Sequence, residues 1–378
     1  MEKRRVCVFC ETWESGGIES FLCGVLSRQD PAEMMIDVVV SELRDSIFTL
    51  PLQKRGIRFL CLSGSSRRPV KNWSLFRRLL RENRYDVIYL NAFQALSLRY
   101  ALLAKRAGVP VRVLHSHNTG LRPHILRPLK MRIHSFARRL YGGVGTAYFA
   151  CSPEAASFLF PAKVLRERSV CVLFNGIDTE RFRFRPEQRK ALRGKLGLED
   201  RFIVGNVGRL CDQKNQLFLL DVLKALLPLR PDGCLLLIGE GEQRAALERR
   251  AVELGIRDRV ILFGVTDRPE EMLWAMDAFL FPSRFEGLGI AAVEAQCAGL
   301  PMLCSEHVPQ KALVTGLCRR LPLVDGPEAW AEAAAELSVP ESRGEYAAEI
   351  RDAGFDVETV SQTLRGALLA APPEDAVR

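Results

Sequence analysis

No run of apolar residues in this 378-residue sequence approaches the roughly 18 to 20 that a membrane-spanning helix requires. The opening "MEKRRVCVFCETWE" is too short in its apolar part, and too acidic after it, for a secretory signal. These absences lead to the expectation of a cytoplasmic protein. There is no Gly-x-Gly-x-x-Gly, so a nicotinamide dinucleotide loses its main support. There is no Asp-x-Asp, so the sequence offers no carboxylate pair to hold a divalent metal against phosphates, and neither a metal nor any other cofactor is expected. Nothing resembles a helix-turn-helix, a zinc finger or an RNA-stacking motif, which speaks against a nucleic-acid partner. Low-complexity segments and short-period repeats are missing too. Cysteine is present, but its eleven copies are odd in number and sit in strand-like runs such as "VCVFC" and "SVCVLF". They read as small buried hydrophobes in a reducing compartment. Cys7 and Cys10 form one C-x-x-C without a second pair, a poor basis for a zinc or redox site.

What is present is the composition of a globular enzyme: 48% hydrophobic and 26% charged residues, with disorder expected only in the tail "APPEDAVR". The length exceeds what one core usually supports, so two domains follow. The net charge of +9 is uneven. Residues 1–180 hold 28 Lys and Arg against 15 Asp and Glu, whereas the remainder holds 26 against 30. A basic first half suits an acidic substrate or an anionic surface.

Short β-branched runs, "VCVFC", "IDVVVS", "IRFLCL", "YDVIYL", "VRVLHS", "TAYFACS" and "SVCVLFN", alternate with helical patterns. After "NGIDTERFRFRPEQ" the alternation restarts with "RFIVGNVG", "CLLLIGEG", "VILFG", "DAFLFPS" and "LPMLCS". Strands alternating with helices predict parallel sheets wrapped on both faces. The expected fold is α/β: a Rossmann-like domain over 1–180, a second over 181–355, and at 356–378 a helix packing back on the first domain before a short tail.

Open parallel sheets bind ligands beyond the carboxyl ends of their strands. The loop after "DAFLFPS" is the most informative of these. "RFEGLGIAAVEAQCAG" reads as a turn with Gly287 and Gly289, then a helix closed by Gly299 with Pro301 beyond. Its glycines permit close backbone approach, and its first amides carry partial positive charge, a combination that suits a diphosphate. Glu286 precedes the helix and Glu294 is expected about two turns into it. Two carboxylates so placed can accept hydroxyl protons on either side of a bound diphosphate. Glu294 lies among small and apolar neighbours, where a carboxylate needs a partner.

The segment "FPSRFEGLGIAAVEAQCAGLPMLCS" resembles the Glu-x7-Glu stretch of the retaining family 4 glycosyltransferases, which are nucleotide-sugar enzymes of the GT-B fold, two Rossmann-like domains facing across a cleft. "GGIESFL", "LHSHNTG", "FNGIDTERF" and "NVGRLCDQKN" fall where that family has its other motifs. The end of the second half is similar to the bacterial capsular and extracellular polysaccharide branch. The resemblance implies that Arg209 and Lys214, at the end of a strand, hold the diphosphate leaving group, as two cations meeting two phosphates would. It also implies that Glu286 and His117 act on the donor sugar, with His115 second to His117. Gly16, Gly17, Gly239, Gly241, Gly287, Leu288, Gly289 and Glu294 complete the expected donor site. Gly239 and Gly241 read equally as turn glycines, as do Gly16 and Gly17. "FNGID" would be the hinge.

In "LRPLKMRIHSFARRLYGG", Leu129, Ile133, Phe136 and Leu140 recur at helical spacing among Arg127, Lys130, Arg132, Arg138 and Arg139. Such a helix either turns its apolar stripe to the core or rests on an anionic membrane. The expected function is transfer of a sugar from a nucleoside-diphosphate donor, a UDP-sugar, to a glycan or lipid-linked hydroxyl acceptor, with peripheral contact at the inner face of the cell membrane. The alternatives are a nucleotide-sugar epimerase of the same architecture and a non-catalytic sugar-nucleotide-binding scaffold.

Overall fold

The structure, a computed structural model, describes residues 3–120 and 127–371; residues 372–378 of the tail, and Leu126 at the head of the basic stretch, lie outside the described residues. The chain divides into two units, one running to Gly176 and resuming at Val357, the other Ile177–Asp356. The first unit carries β1 (Arg4–Trp13), β2 (Met34–Leu43), β3 (Arg58–Cys61), β4 (Val87–Ala92), β5 (Val111–Ser116), β6 (Ala147–Ala150) and β7 (Val170–Val172). They form one parallel sheet in the order β3-β2-β1-β4-β5-β6-β7. Both faces of β1 are buried: Cys7 and Phe9 pack with Phe76, Leu90 and Tyr100, while Val6 and Val8 pack with Phe21, Leu22, Val38 and Tyr89. That is why the strand reads as a continuous apolar run rather than an alternation. Cys7 and Cys10 belong to this core as free thiols, and burial pushes both well up from their ordinary range.

The helix Val357–Leu369 returns to the first unit, burying Val357, Val360, Leu364 and Leu368 against the β1 layer. A Cβ on Gly176 would lie 2.9 Å from the Val357 Cα, so the chain crossing there demands glycine.

The second unit holds β8 (Phe202–Val207), β9 (Gly233–Ile238), β10 (Val260–Gly264), β11 (Ala278–Phe281), β12 (Met302–Cys304) and β13 (Cys318–Arg320), parallel and ordered β10-β9-β8-β11-β12-β13. In each sheet the order reverses once, between β1 and β4 and between β8 and β11. Loops after those strands diverge and open a crevice at the sheet's carboxyl edge. Among the described residues no helix is long and apolar enough to cross a membrane.

Candidate functional site

In the second unit the loops after β8 and β11 are stitched together. The Arg284 amide donates to the Gln213 carbonyl at 2.8 Å, Gln213 Nε2 to the Phe285 carbonyl at 3.0 Å, and Asn215 Nδ2 to the Pro282 carbonyl at 3.2 Å. From below, Asn206 on β8 donates to the Leu280 carbonyl at 2.8 Å, and the fully buried Gln216 donates to the Arg209 carbonyl at 2.9 Å. The helix Gln216–Leu226 starts at Asn215, held at φ +58°, a left-handed conformation that asparagine tolerates better than most residues.

This stitching brings Lys214 to Glu286. Nζ and Oε1 lie 2.6 Å apart, the ammonium sits 4.9 Å from the centre of the Phe281 ring, and both side chains are largely buried. The two residues singled out from separate motifs thus form one ion pair. Arg209 stands exposed on the same loop. Beyond Glu286 the helix runs Ile290–Cys297, with Gly289 before it at φ +85°. A Cβ at Gly289 would come 3.1 Å from the Phe281 ring as well, so the turn needs glycine twice over. Gly287 precedes it on the partly exposed turn, and Leu288 is buried. The helix starts two residues later than its sequence pattern suggests, so Glu294 lies little more than one turn inside rather than two. It is half-buried. Burial pushes its carboxyl up to about 8, with Arg181 and Lys214 pulling down and Glu270 adding to the rise. Glu270 itself is buried and paired with Arg181 at 2.8 Å.

Gly239 and Gly241 have a steric role. A Cβ on Gly239 would stand 2.1 Å from the Gly208 carbonyl oxygen, and one on Gly241 2.3 Å from that of Leu210. Their loop runs against the Arg209 loop, with Leu210 N donating to the Glu240 carbonyl at 3.0 Å. They let the two loops pack back to back.

In the first unit, Gly16 caps the helix Gly17–Leu26, and a Cβ on it would meet the Glu19 carboxylate at 2.6 Å, whereas Gly17 faces open space. His115 and His117 fall at the end of β5, rings 4.0 Å apart, against Phe21. His115 is fully buried and shares a 2.6 Å hydrogen bond with Tyr89 Oη. It lies in the core against Tyr89 and Phe149, beside His117. His117 keeps a small exposed edge, at 6%. Burial pushes its pKa down to about 3, the Asn175 amide acting the other way.

Sequence reasoning missed Asn91, Asn206, Gln213 and Gln216. Their signal is polar side chains at strand ends and helix starts, common to every α/β fold. The helix Arg127–Tyr141 turns His134 and Ala137 inward, His134 Nδ1 accepting from the Ala95 amide at 3.2 Å. The apolar stripe faces out: Leu129 is 55% exposed, Ile133 48%, Phe136 69% and Leu140 54%.

Two family descriptions match. Residues 16–176 fit the glycosyl transferase 4-like domain, and residues 188–349 fit glycosyl transferases group 1. EpsF of Bacillus subtilis (strain 168), a glycosyltransferase by name, is 30% identical over 337 residues, covering 87% of this chain and 86% of its own. The UDP-Gal:alpha-D-GlcNAc-diphosphoundecaprenol alpha-1,3-galactosyltransferase of Escherichia coli is 25% identical, covering 68% of this chain and 66% of its own. Among solved structures, Anabaena HepE in complex with UDP superposes with a TM-score of 0.75 at 21% identity, over 97% of this chain and 99% of its own.

Proposed function

The chain belongs to the GT-B glycosyltransferases, its first half a glycosyl transferase 4-like domain and its second half of group 1, and we propose that it moves a sugar from a UDP-sugar to a hydroxyl of a lipid-linked or polysaccharide acceptor, with retention at the anomeric carbon. The observation that carries this reading is the Lys214–Glu286 pair set before the helix that carries Glu294. One short stretch offers a cation and helix amides for phosphates, and two carboxylates for hydroxyls. Negative charge developing on the departing diphosphate is met by Arg209, Lys214 and those amides, fixed in place before reaction. Their cationic charge does what a divalent metal would otherwise do, so turnover is proposed to need no metal. Glu286 accepts from the transferred sugar. The names of the E. coli relative and of the HepE complex support a uridine diphosphate donor.

A thermal-shift screen of nucleotide sugars tests the donor class. A UDP-sugar is expected to raise the melting midpoint, because a ligand bound only by the folded state stabilises it. No shift with any nucleotide sugar or nucleoside diphosphate would sink the reading. Arg209→Ala is expected to weaken uridine diphosphate binding by about 1.5 to 3 kcal/mol through loss of a charge-assisted contact. Calorimetric titration measures it, and unchanged affinity removes Arg209 from the site. Turnover should survive a strong chelator; loss restored by magnesium or manganese would contradict the metal-free route.

The helix Arg127–Tyr141 supports an acceptor at an anionic membrane. Its exposed Leu129, Ile133, Phe136 and Leu140 form one stripe, flanked by five cations and no acidic residue. Anionic lipid satisfies both features, whereas a second copy of the same helix would bring like charges together. The first unit is therefore proposed to bind peripherally at the inner face of the cell membrane. Phe136→Ser should reduce partition onto vesicles containing phosphatidylglycerol by roughly tenfold, the worth of one inserted aromatic. Equal sedimentation of wild type and variant, or equal binding to purely zwitterionic vesicles, would count against it.

A further inference from the structure

The loop between β8 and the helix Gln216–Leu226 turns back on itself. Carbons of the Lys214 side chain lie 3.3 to 3.6 Å from where a Cβ on Gly208 would stand, so the lysine stem runs alongside the residue before Arg209. The Cys211 carbonyl accepts from the Lys214 amide at 3.0 Å and from that of Asn215 at 3.2 Å. Beneath this turn sits Gln216, the first residue of the helix, with none of its surface exposed. A buried amide costs stability unless its hydrogen bonds are met. Here they are: Nε2 donates to the Arg209 carbonyl at 2.9 Å and to Asn206 Oδ1 at 3.3 Å, and Oε1 accepts from the Cys211 amide at 3.4 Å. Asn206, itself buried on β8, donates onward to the Leu280 carbonyl of β11 at 2.8 Å.

Backbone groups fix which way round each side-chain amide lies. A carbonyl only accepts and a backbone N–H only donates, so Gln216 must turn Nε2 to Arg209 and Oε1 to Cys211, and Asn206 must turn Nδ2 to Leu280. Reversing Gln216 would set its oxygen against the Arg209 carbonyl and its nitrogen against the Cys211 N–H. Reversing Asn206 would set oxygen against the Leu280 carbonyl. The relay therefore has one arrangement, and it runs from β11 through β8 to the chain on both sides of the buried Leu210. An apolar side chain of the same size would fill the same space. What the amide adds is a specified loop shape.

We propose that Gln216 is a positioning residue: it grips the chain on either side of Leu210 and so holds the Arg209 backbone near the Lys214 stem before any diphosphate arrives. The part played by the diphosphate rests on the glycosyltransferase reading, whereas the grip on the loop does not. The benefit to binding is preorganisation. Two cations brought near each other repel, and a loosely held loop would relax to separate them. A loop already fixed spares the ligand the cost of ordering it, and keeps the charges where the departing group needs them.

Two measurements test this on the full chain. In ligand-free wild type the Cys211 amide, which donates to Gln216, should exchange its hydrogen at least about tenfold more slowly than an open chain. An amide that exchanges freely until uridine diphosphate is added overturns the proposal. The second measurement is the calorimetric affinity for uridine diphosphate of wild type, Gln216→Met, Arg209→Ala and the double variant. Gln216→Met is expected to weaken binding about tenfold, but less than about threefold once Arg209 is already alanine, because it acts through Arg209. Equal losses in both backgrounds, or none in either, overturn the positioning role; a merely structural residue would give equal losses. Should Gln216→Met not fold, Gln216→Glu takes its place, since it keeps the shape and the Cys211 contact but cannot donate when ionised. If Arg209→Ala binds uridine diphosphate as wild type does while the Cys211 amide is protected, the diphosphate reading fails and the grip on the loop stands.

Discussion

Lys214→Ala is expected to abolish most turnover and to destabilise the protein, while adding Glu286→Gln restores part of the stability. The two side chains form a 2.6 Å ion pair and keep only 17% and 5% of their surface exposed. Removing the ammonium strands a buried carboxylate, a loss of about 3 to 5 kcal/mol for a fully buried pair and nearer 2 to 3 where, as here, the lysine retains some solvent. Glu286→Gln alone costs less, because the amide oxygen still accepts from Nζ. In the double variant no charge is left stranded, so the stability losses should fall short of additive by about 1 to 3 kcal/mol. Denaturant melts of the four proteins measure this, and strict additivity would show that the pair is not a unit. Catalysis separates the partners. Lys214→Ala should weaken uridine diphosphate and the intact donor alike, whereas Glu286→Gln should spare the diphosphate and lower kcat by about a hundredfold, where contacts tighten as charge builds on the sugar ring. A Glu286→Gln enzyme whose diphosphate affinity falls as far as its donor affinity would place Glu286 on the phosphates instead.

Uridine diphosphate should bind wild type more tightly as pH rises from about 7 toward about 8 and level off beyond, with the slope absent in Glu294→Gln. Burial pushes the Glu294 carboxyl up to about 8, so below that pH the empty site holds a protonated acid. A ribose hydroxyl donating to the carboxylate favours the ionised form, and binding then releases a proton. Above about pH 8 the variant should bind roughly tenfold to a hundredfold more weakly, the worth of a hydrogen bond to a charged group. Stability moves the opposite way. A carboxyl whose folded pKa exceeds its unfolded value holds more protons when folded, so wild-type stability falls as pH climbs between the two and is flat above about 8. Glu294→Gln removes that fall, and its stability relative to wild type should be better at about pH 8.5 than at about pH 5. Calorimetric titration and thermal melts over that range check both signs. An identical pH dependence in wild type and variant would mean that Glu294 does not titrate there.

The parallel sheets were legible because a strand buried on both faces must be apolar at every position, as "VCVFC" and "CLLLIG" are, and because helical spacing between such runs leaves few other architectures. The loop "RFEGLGIAAVEA" was legible for a similar reason: glycine at a positive φ before a helix is a local demand of the backbone, met at Gly289. Glu286 and Glu294 could be singled out from the glycines, the helix and the apolar neighbours around them. Their different situations could not.

What the amino-acid order determined by itself is what depends on neighbours a few positions apart: strand and helix type, the turn glycines and the basic first half. Only the tertiary structure decided which distant groups meet and which faces are covered. Lys214 and Glu286 are 72 residues apart and become one ion pair because the loops after β8 and β11 are laced together at the point where the strand order reverses. His115 and His117 look equivalent in "HSHN", yet His115 is fully buried against Tyr89 while His117, beside Asn91, keeps a small exposed edge. The stripe from Leu129 to Leu140 has the same periodicity whether it faces core or solvent. Burial of His134 and Ala137 on the opposite side turned it outward. Periodicity records that a helix has two faces, and the packing of the whole unit chooses between them.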